Sequence, residues 1–178
     1  MRIIAGAAKG RNLDAPKSGT RPMTGRARES VFSILGHRVV GIRVLDLYAG
    51  SGSLGLEALS RGATDAIFVE RSRRAGATIE ANIDRVDLGG HVRHSDVSVY
   101  LRSAKAQFSV VFVDPPYADT DAEVESVLSL IEPVLTDDGI VVVHRQARSE
   151  VAAPEFLHTV DERRYGDAVV TMMERAKE

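Results

Sequence analysis

The sequence predicts an α/β domain built around a mostly parallel, doubly wound sheet of seven strands. Short, continuous, β-branched runs at 42–47, 66–69, 110–113 and 140–143 are typical of strands buried on both faces of a parallel sheet. Helical segments separate these runs, and this alternation implies right-handed crossovers. The chain has 178 residues, 44% hydrophobic and 27% charged, which is the balance of one globular domain.

The N-terminal part differs from the rest of the chain. The pattern of residues 2–16 predicts a small β-hairpin. Residues 1–22 are expected to form a basic extension and linker in front of a main domain at 23–178. A helix over 26–35 opens the main domain, with Gly36 as its stop signal.

The later elements follow from periodicity. Helices are expected between the strands at 53–61, 72–88 and 121–135. Pro133 is expected to kink the last turn of the third of these helices. A shorter run at 92–95 predicts a further strand, and residues 156–164 and 167–174 predict an antiparallel hairpin at the edge of the sheet.

Basic side chains are concentrated near the N-terminus. Residues 1–45 hold nine Lys and Arg against two acidic residues, whereas the rest of the chain holds 14 basic and 23 acidic residues. This asymmetry predicts a basic arm on an acidic body, for which a polyanion is the natural partner. A solvated face with no partner is the alternative.

Composition excludes several classes of site. Without cysteine the chain has no disulfide, thiolate metal site, iron–sulfur cluster or cysteine nucleophile, and its five histidines show no metal-ligand spacing. His144 and the other histidines are expected to be surface or satisfied polar residues. Apolar runs are too short to cross a bilayer and no secretory h-region is visible, so a cytoplasmic protein is expected.

A glycine-rich loop follows the first core strand and opens a helix. Gly50, Gly52 and Gly55 match G-x-G-x-x-G, and Glu70 ends the next strand, where a carboxylate can bind ribose hydroxyls. Taken literally, this fingerprint could hold NAD. Asp46 favours a cationic ligand instead, because a carboxylate there would repel a pyrophosphate. A glycine-rich turn without a ligand is a further alternative.

A second motif, Asp114-Pro115-Pro116-Tyr117, follows the strand at 110–113. The prolines fix the backbone, Asp114 supplies a carboxylate and Tyr117 an aromatic plate, at the sheet edge where ligands bind. These groups suit a planar ring with an exocyclic amine. Asp114 and the Pro115 carbonyl would hold the amine hydrogens, and so direct its lone pair toward a methyl donor, while Tyr117 stacks on the ring.

Motifs spread over nearly the whole chain resemble those of one enzyme family. They are Arg2-Ile3-Ile4-Ala5-Gly6, Lys9-Gly10-Arg11, Leu13, Arg21-Pro22, Arg26, Arg28-Glu29, Val31-Phe32, Asp46 to Gly52, and Asp114 to Tyr117. The sequence resembles the RsmD family of 16S ribosomal RNA guanine-N2 methyltransferases. One departure is visible, because the family reads Arg-Pro-Thr where this chain has Met23, followed by Thr24.

The resemblance implies a Rossmann-like, class I methyltransferase fold without a metal. It implies S-adenosylmethionine as donor, S-adenosylhomocysteine as product, and a guanine N2 of 16S rRNA as acceptor, within an assembling small ribosomal subunit and with a monomeric enzyme. The implied cofactor-binding residues are Asp46, Tyr48, Gly50, Ser51, Gly52, Glu70, Arg71, Asp96 and Thr24. The implied RNA contacts are Arg2, Lys9, Arg11, Arg21, Arg26 and Arg28. For the last three, the alternatives are to line the entrance of the site or to meet the cofactor carboxylate.

Several alternatives stay open at this stage. Asp96 either contacts the adenine of the cofactor or caps a short helix. The acceptor is alternatively adenine N6 in DNA or a protein glutamine, since such enzymes use similar Pro-Pro-Tyr loops. An NAD-dependent oxidoreductase and a non-catalytic RNA-binding assembly module are the readings from other functional classes.

Overall fold

Strands and helices alternate along the chain in a computed structural model that describes residues 1–16 and 23–176. The strands are β1 (Arg43–Leu47), β2 (Asp65–Glu70), β3 (His91–His94), β4 (Phe108–Val113), β5 (Leu135–Gln146), β6 (Leu157–Tyr165) and β7 (Ala168–Arg175). The helices are α1 (Gly25–Leu35), α2 (Ser53–Ser60), α3 (Arg73–Val86), α4 (Val97–Ser103) and α5 (Asp121–Ser129). None of these helices is long and apolar enough to cross a membrane.

All seven strands form one sheet in the order β3-β2-β1-β4-β5-β7-β6. Strands β1 to β5 are parallel, whereas β7 runs antiparallel to both β5 and β6. The predicted sheet and its C-terminal hairpin are therefore confirmed. From β1 the chain adds β2 and β3 on one side, and then returns to add β4 and β5 on the other side of β1. In parallel sheets such a change of direction, here between β1 and β4, leaves a crevice at the carboxyl ends of the two strands.

Two buried clusters cover the faces of the sheet and give the domain three layers. Helices α1, α2 and α3 pack on the face that contains Val44, Phe112 and Val142. Helices α4 and α5 pack on the opposite face, which contains Leu45 and Val113. Side chains alternate between the faces of a strand, so every core strand is apolar on both sides.

The helix predicted over 121–135 is shorter than expected. Helix α5 ends at Ser129, a 3₁₀ turn covers Glu132–Val134, and Leu135 already pairs with Phe108 of β4. Pro133 is the physical reason, because it has no N–H group to continue the α-helical hydrogen bonds. The strand expected at 140–143 is correspondingly longer and spans twelve residues.

The predicted N-terminal hairpin is reduced to a single antiparallel bridge between Arg2 and Asn12. The next two donors, the N–H groups of Ile4 and Ala5, turn away from the bridge and bind the Glu57 carboxylate at 2.8 and 3.1 Å. Ile3, Ala8 and Leu13 are buried in the same core as α1 to α3. The boundary predicted at residue 22 falls outside the described residues, and the domain division stays a prediction.

Glu57 joins this N-terminal segment to α2. Its side chain is fully buried, accepts a hydrogen bond from Arg61 Nε at 2.8 Å, and lies 3.9 Å from Arg28 Nε. Burial lowers the pKa of the Arg28 guanidinium from its ordinary value, while the Glu57 charge opposes that shift. The carboxylate thus holds two backbone donors and two cations in a water-poor setting.

We expect Glu57→Ala to lower the free energy of unfolding by about 3 kcal/mol, because it leaves the buried Arg28 charge and two backbone donors without their acceptor. For a chain of this size that loss lowers the melting temperature by roughly 6–12 °C, measurable by calorimetry. Glu155→Ala, at an exposed glutamate, is the control and should leave the melting temperature unchanged. Equal melting temperatures for both variants would contradict the role of Glu57.

Candidate active site

A cavity of about 460 Å³ lies at the carboxyl ends of β1, β2 and β4. Nine of the residues predicted for the site contribute to its wall: Asp46, Tyr48, Gly50, Ser51, Glu70, Arg71, Asp96, Asp114 and Tyr117. A space of this volume is typical of pockets for small molecules and cofactors. The glycine loop and the Pro-Pro-Tyr loop therefore face one another across a single space.

The glycine loop turns sharply because two of its glycines have left-handed backbones. Gly50 has φ of 57°, and Gly52, the N-cap of α2, has φ of 74°. Glu70 holds the loop, since Oε2 accepts from Gly50 N at 3.1 Å and Oε1 from Ser72 N at 2.7 Å. Gly52 lies against α3, where an added Cβ would stand 3.0 Å from Ile79. Gly52 thus permits close packing behind the loop.

Asn82 of α3 ties the glycine loop to the N-terminal segment, a role that the sequence did not reveal. Its buried side-chain amide donates to the Ser51 carbonyl and to the Asp14 carbonyl, each at 2.9 Å. Its Oδ1 accepts from Asp14 N at 2.9 Å. Ala15 and Pro16, which follow directly, form part of the cavity wall. One amide therefore positions two sides of the cavity.

Asp46 makes the floor of the cavity acidic. Its side chain is buried, and Oδ2 accepts from Gly55 N in the first turn of α2 at 2.9 Å. Burial, together with the charges of Asp114 and Glu70, raises the pKa of Asp46 well above its ordinary value, although the Gly55 hydrogen bond opposes this. Three carboxylates around one cavity suit a cationic ligand and disfavour a pyrophosphate.

Tyr48 carries local strain next to this acidic floor. It is one of two non-glycine residues with positive φ, at 59°, among the described residues. Burial first, and then the charges of Asp119 and Asp96, raise the pKa of its phenol to about 12, so the hydroxyl stays neutral at physiological pH. Strained backbone of this kind costs of order 1 kcal/mol and is concentrated at functional sites.

Asp96 has the capping role that was one of its two predicted interpretations. Its Oδ1 accepts from Ser98 N at 2.8 Å and from Val99 N at 3.3 Å, at the start of α4. The residue also lines the cavity, as does the exposed Arg71. A contact between Asp96 and adenine is compatible with the cap and stays a prediction.

The Pro-Pro-Tyr loop presents its carboxylate to the cavity. Asp114 Oδ1 lies 2.7 Å from Nδ1 of His144, a buried residue of β5, and the Asp114 side chain keeps 20% of its surface exposed. The Tyr117 ring lies at the cavity wall, 6.1 Å from the His144 ring, centroid to centroid. Pro115 is buried behind it. A fixed carboxylate and an aromatic ring thus stand together, as the motif predicts.

Arg145 holds the backbone of the same loop. Its guanidinium donates to the carbonyls of Pro116 at 3.1 Å and Asp119 at 2.6 Å, and pairs with Asp121 at 3.1 Å. The side chain is buried, so these bonds are shielded from water. His144 is buried and hydrogen-bonded, which is one of the two environments expected for it, whereas no local pattern marks Arg145. The register β4–β5, in which Val113 lies beside Val143, is the signal that places both residues next to the motif.

Known proteins share both the sequence and the architecture. The model of the family described as conserved hypothetical protein 95 matches residues 1–174. Ribosomal RNA small subunit methyltransferase D of Escherichia coli K12 is 35% identical over 84% of this chain and 76% of its own length. The chain belongs to the RsmD family. A Bacillus subtilis relative, YlbH, is 38% identical over 98% of this chain and 92% of its own.

Solved structures agree with this family assignment. The Escherichia coli protein yhhF superposes with a TM-score of 0.88 at 32% identity, covering 98% of this chain and 97% of its own. Thermus thermophilus TTHA0928 gives a TM-score of 0.83 at 32% identity, covering 97% of this chain and 98% of its own. The Rossmann-like methyltransferase fold predicted from the sequence is thereby confirmed.

Two residues of the motif that departs from the RsmD pattern have structural roles. Thr24 is exposed and caps α1, with Oγ1 accepting from Ala27 N at 3.2 Å. It lies outside the set of residues that line the cavity. Its predicted cofactor contact therefore has no support from its position. Met23 is buried in the core, where a hydroxyl-bearing side chain would lack its packing.

Four of the predicted RNA contacts, Arg2, Lys9, Arg11 and Arg26, are exposed. Arg11 Nη1 donates to the carbonyls of Arg85 and Val86 at the end of α3, at 2.7 and 2.8 Å, which is a helix-capping role. Arg21 lies outside the described residues.

Arg28 is a correction to the sequence prediction. The side chain is 2% exposed, and Nη2 donates to the Arg2 carbonyl at 2.7 Å. Its position 3.9 Å from Glu57 completes a buried cluster. Arg28 is therefore a structural cation beneath the N-terminal segment, and not an RNA contact.

We expect Asp46→Asn to raise the free energy of unfolding of the ligand-free protein at pH 7, because the variant lacks the buried carboxyl group whose ionisation the fold opposes, while an acceptor for Gly55 N stays. Between the ordinary value of 3.8 and the raised folded pKa, the carboxyl group ionises in the unfolded chain but stays neutral in the fold, so rising pH favours unfolding. The gain should therefore be absent below pH 3.8, grow as pH rises from 3.8 to the folded pKa, and stay constant above it.

Denaturant unfolding of both proteins between pH 3.5 and 8 measures this difference. Asp138→Asn, at an exposed aspartate far from the cavity, is the matched control. A difference between Asp46→Asn and the native protein that is independent of pH would contradict the electrostatic origin.

Proposed function

We propose that the protein transfers a methyl group from S-adenosylmethionine to the exocyclic N2 amine of a guanine in 16S rRNA. The observation that carries this proposal is the Asp114 carboxylate, held in the wall of a cavity that the glycine loop and Glu70 also line. Membership of the RsmD family supports the acceptor, and the acidic floor supports a cationic donor.

The cavity residues fit such a cofactor. Glu70 lies where ribose hydroxyls would bind, and the Gly50 and Ser51 backbone permits close approach. Asp46 and its acidic neighbours favour a positive charge over the cavity floor. When bound, the sulfonium supplies an activated methyl group for in-line displacement.

The chain's own residues prepare the acceptor. In the proposed reaction Asp114 and the Pro115 carbonyl accept the two hydrogens of the guanine amine, so that its lone pair points at the methyl carbon. Displacement at the methyl carbon would form the C–N bond as the donor's C–S bond breaks, and the bonding pair would leave with the sulfur. The nitrogen then releases one proton, for which the Asp114 carboxylate is the adjacent acceptor.

Base and RNA contacts complete the proposal. Tyr117, which lines the cavity, would stack on a guanine that has been flipped out of its helix. The exposed Arg2, Lys9 and Arg26 would hold phosphates of the surrounding RNA. Arg21 remains a predicted member of this set. A monomeric state, a cytoplasmic location and an assembling subunit as substrate also remain predictions.

The test is transfer of tritiated methyl groups from S-adenosylmethionine to small ribosomal subunits, naked rRNA, DNA and protein in parallel, followed by nucleoside analysis. We expect label in N2-methylguanosine of the small-subunit RNA. Label in adenine or in glutamine would overturn the acceptor but keep the chemistry. No label in any acceptor, with cofactor bound, would favour an assembly module instead.

In the same assay, we expect Asp114→Ala to reduce methyl transfer by at least 10–100-fold, because one charged acceptor of the amine is lost. Affinity for S-adenosylmethionine, measured by calorimetry, should change less than threefold. Asp137→Ala, at an exposed aspartate on the opposite edge of the sheet, is the control. Native turnover by Asp114→Ala would contradict the proposed role of Asp114 as an acceptor for the amine.

Reversing charge at Arg2 and Lys9 together should weaken RNA binding and flatten its salt dependence by about 0.7–0.9 per lost phosphate contact in log–log slope. Filter binding over a range of salt concentrations measures both effects, and cofactor affinity should not change. The control reverses Arg102 and Lys105, exposed residues at the α4 side of the sheet. Equal losses of RNA affinity in the two double variants would contradict a specific role of the N-terminal arm in RNA binding.

A further inference from the structure

His144 stands beside the reactive carboxylate because of sheet register. Val113 of β4 pairs with Val143 of β5, so the next residues along the two parallel strands, Asp114 and His144, are neighbours on one face. His144 is 2% exposed, and its Nδ1 lies 2.7 Å from Asp114 Oδ1. A carboxylate accepts hydrogen bonds, so the imidazole donates through Nδ1–H.

Other groups hold the backbone of the loop. Arg145 binds the Pro116 and Asp119 carbonyls, and Pro115 is buried with φ fixed by its ring. These contacts do not fix the rotation of the Asp114 side chain. Among the described residues, His144 supplies the hydrogen bond that stops this rotation.

We propose that His144 is a positioning residue: its Nδ1–H holds Oδ1 of Asp114, so that Oδ2 is presented to the amine of the acceptor base. This inference rests on the proposed function. Two acceptors must meet two hydrogens of one planar amine, and the Pro115 carbonyl is fixed by the backbone. An Asp114 carboxylate free to rotate would satisfy that geometry only part of the time.

A merely structural histidine would behave differently from a positioning one. If His144 only filled the core, replacing it would change stability and leave turnover intact. If it orients Asp114, removing its donor should lower kcat while cofactor affinity and the KM for RNA stay constant. A donor restored at the Nδ1 position should then restore kcat.

The experiment compares His144→Phe, which keeps a buried ring without a donor, with His144→Asn, whose side-chain N–H can replace Nδ1–H. We expect kcat to fall about 10–100-fold in His144→Phe and to lie within about fivefold of native in His144→Asn. Cofactor affinity by calorimetry and KM for small subunits should change less than threefold in both. Melting temperatures identify any loss caused by unfolding.

Nitrogen-15 NMR of the histidine rings tests the same hydrogen bond without turnover. The native protein should show His144 protonated at Nδ1, and Asp114→Ala should change that signal. A neutral His144 protonated only at Nε2, or native kcat in His144→Phe, would overturn the positioning role while leaving the proposed function intact. If the native protein methylates no acceptor, the proposed function fails, and the positioning role fails with it.

Discussion

The parallel register of β1, β2, β4 and β5 is the constraint on which the site depends. Side chains alternate between the faces of each strand, and neighbouring parallel strands keep that alternation in phase. Asp46, Glu70, Asp114 and His144 therefore come to one face at one edge, although nearly a hundred residues separate the first from the last. A shift of one residue in any of these strands would turn its polar group toward α4 and α5.

This arrangement concentrates negative charge where little water reaches it. The buried Asp46 is destabilised by its own desolvation and by its acidic neighbours, and the Gly55 N–H at the start of α2 offsets only part of that cost. The electrostatic free energy of such a site is unfavourable without a cation and becomes more favourable when a cation binds. Stability of the ligand-free fold and affinity for a positively charged cofactor are thus opposed at the same residue.

Much of the fold follows from the sequence, because buried parallel strands and amphipathic helices have strong local patterns. The site was partly predictable for the same reason, since glycine and proline mark the two loops at the strand ends. The burial of Arg28 and the contact between His144 and Asp114 were not predicted, because local pattern does not report on burial or on neighbours in the next strand. The β4–β5 register could have identified His144. No local signal identifies Asn82, whose partners lie 31 and 68 residues away.

The Asn82 amide couples two segments that are proposed to contact different ligands. It fastens the carbonyl of Ser51, in the glycine loop, and the backbone of Asp14, at the end of the basic arm, to the same helix. A shared fastening makes the free energies of the two segments interdependent, and such coupling is reciprocal. If a polyanion binds the arm as proposed, ordering of the arm would also order the glycine loop, and a ligand in the cavity would favour the same conformation of the arm.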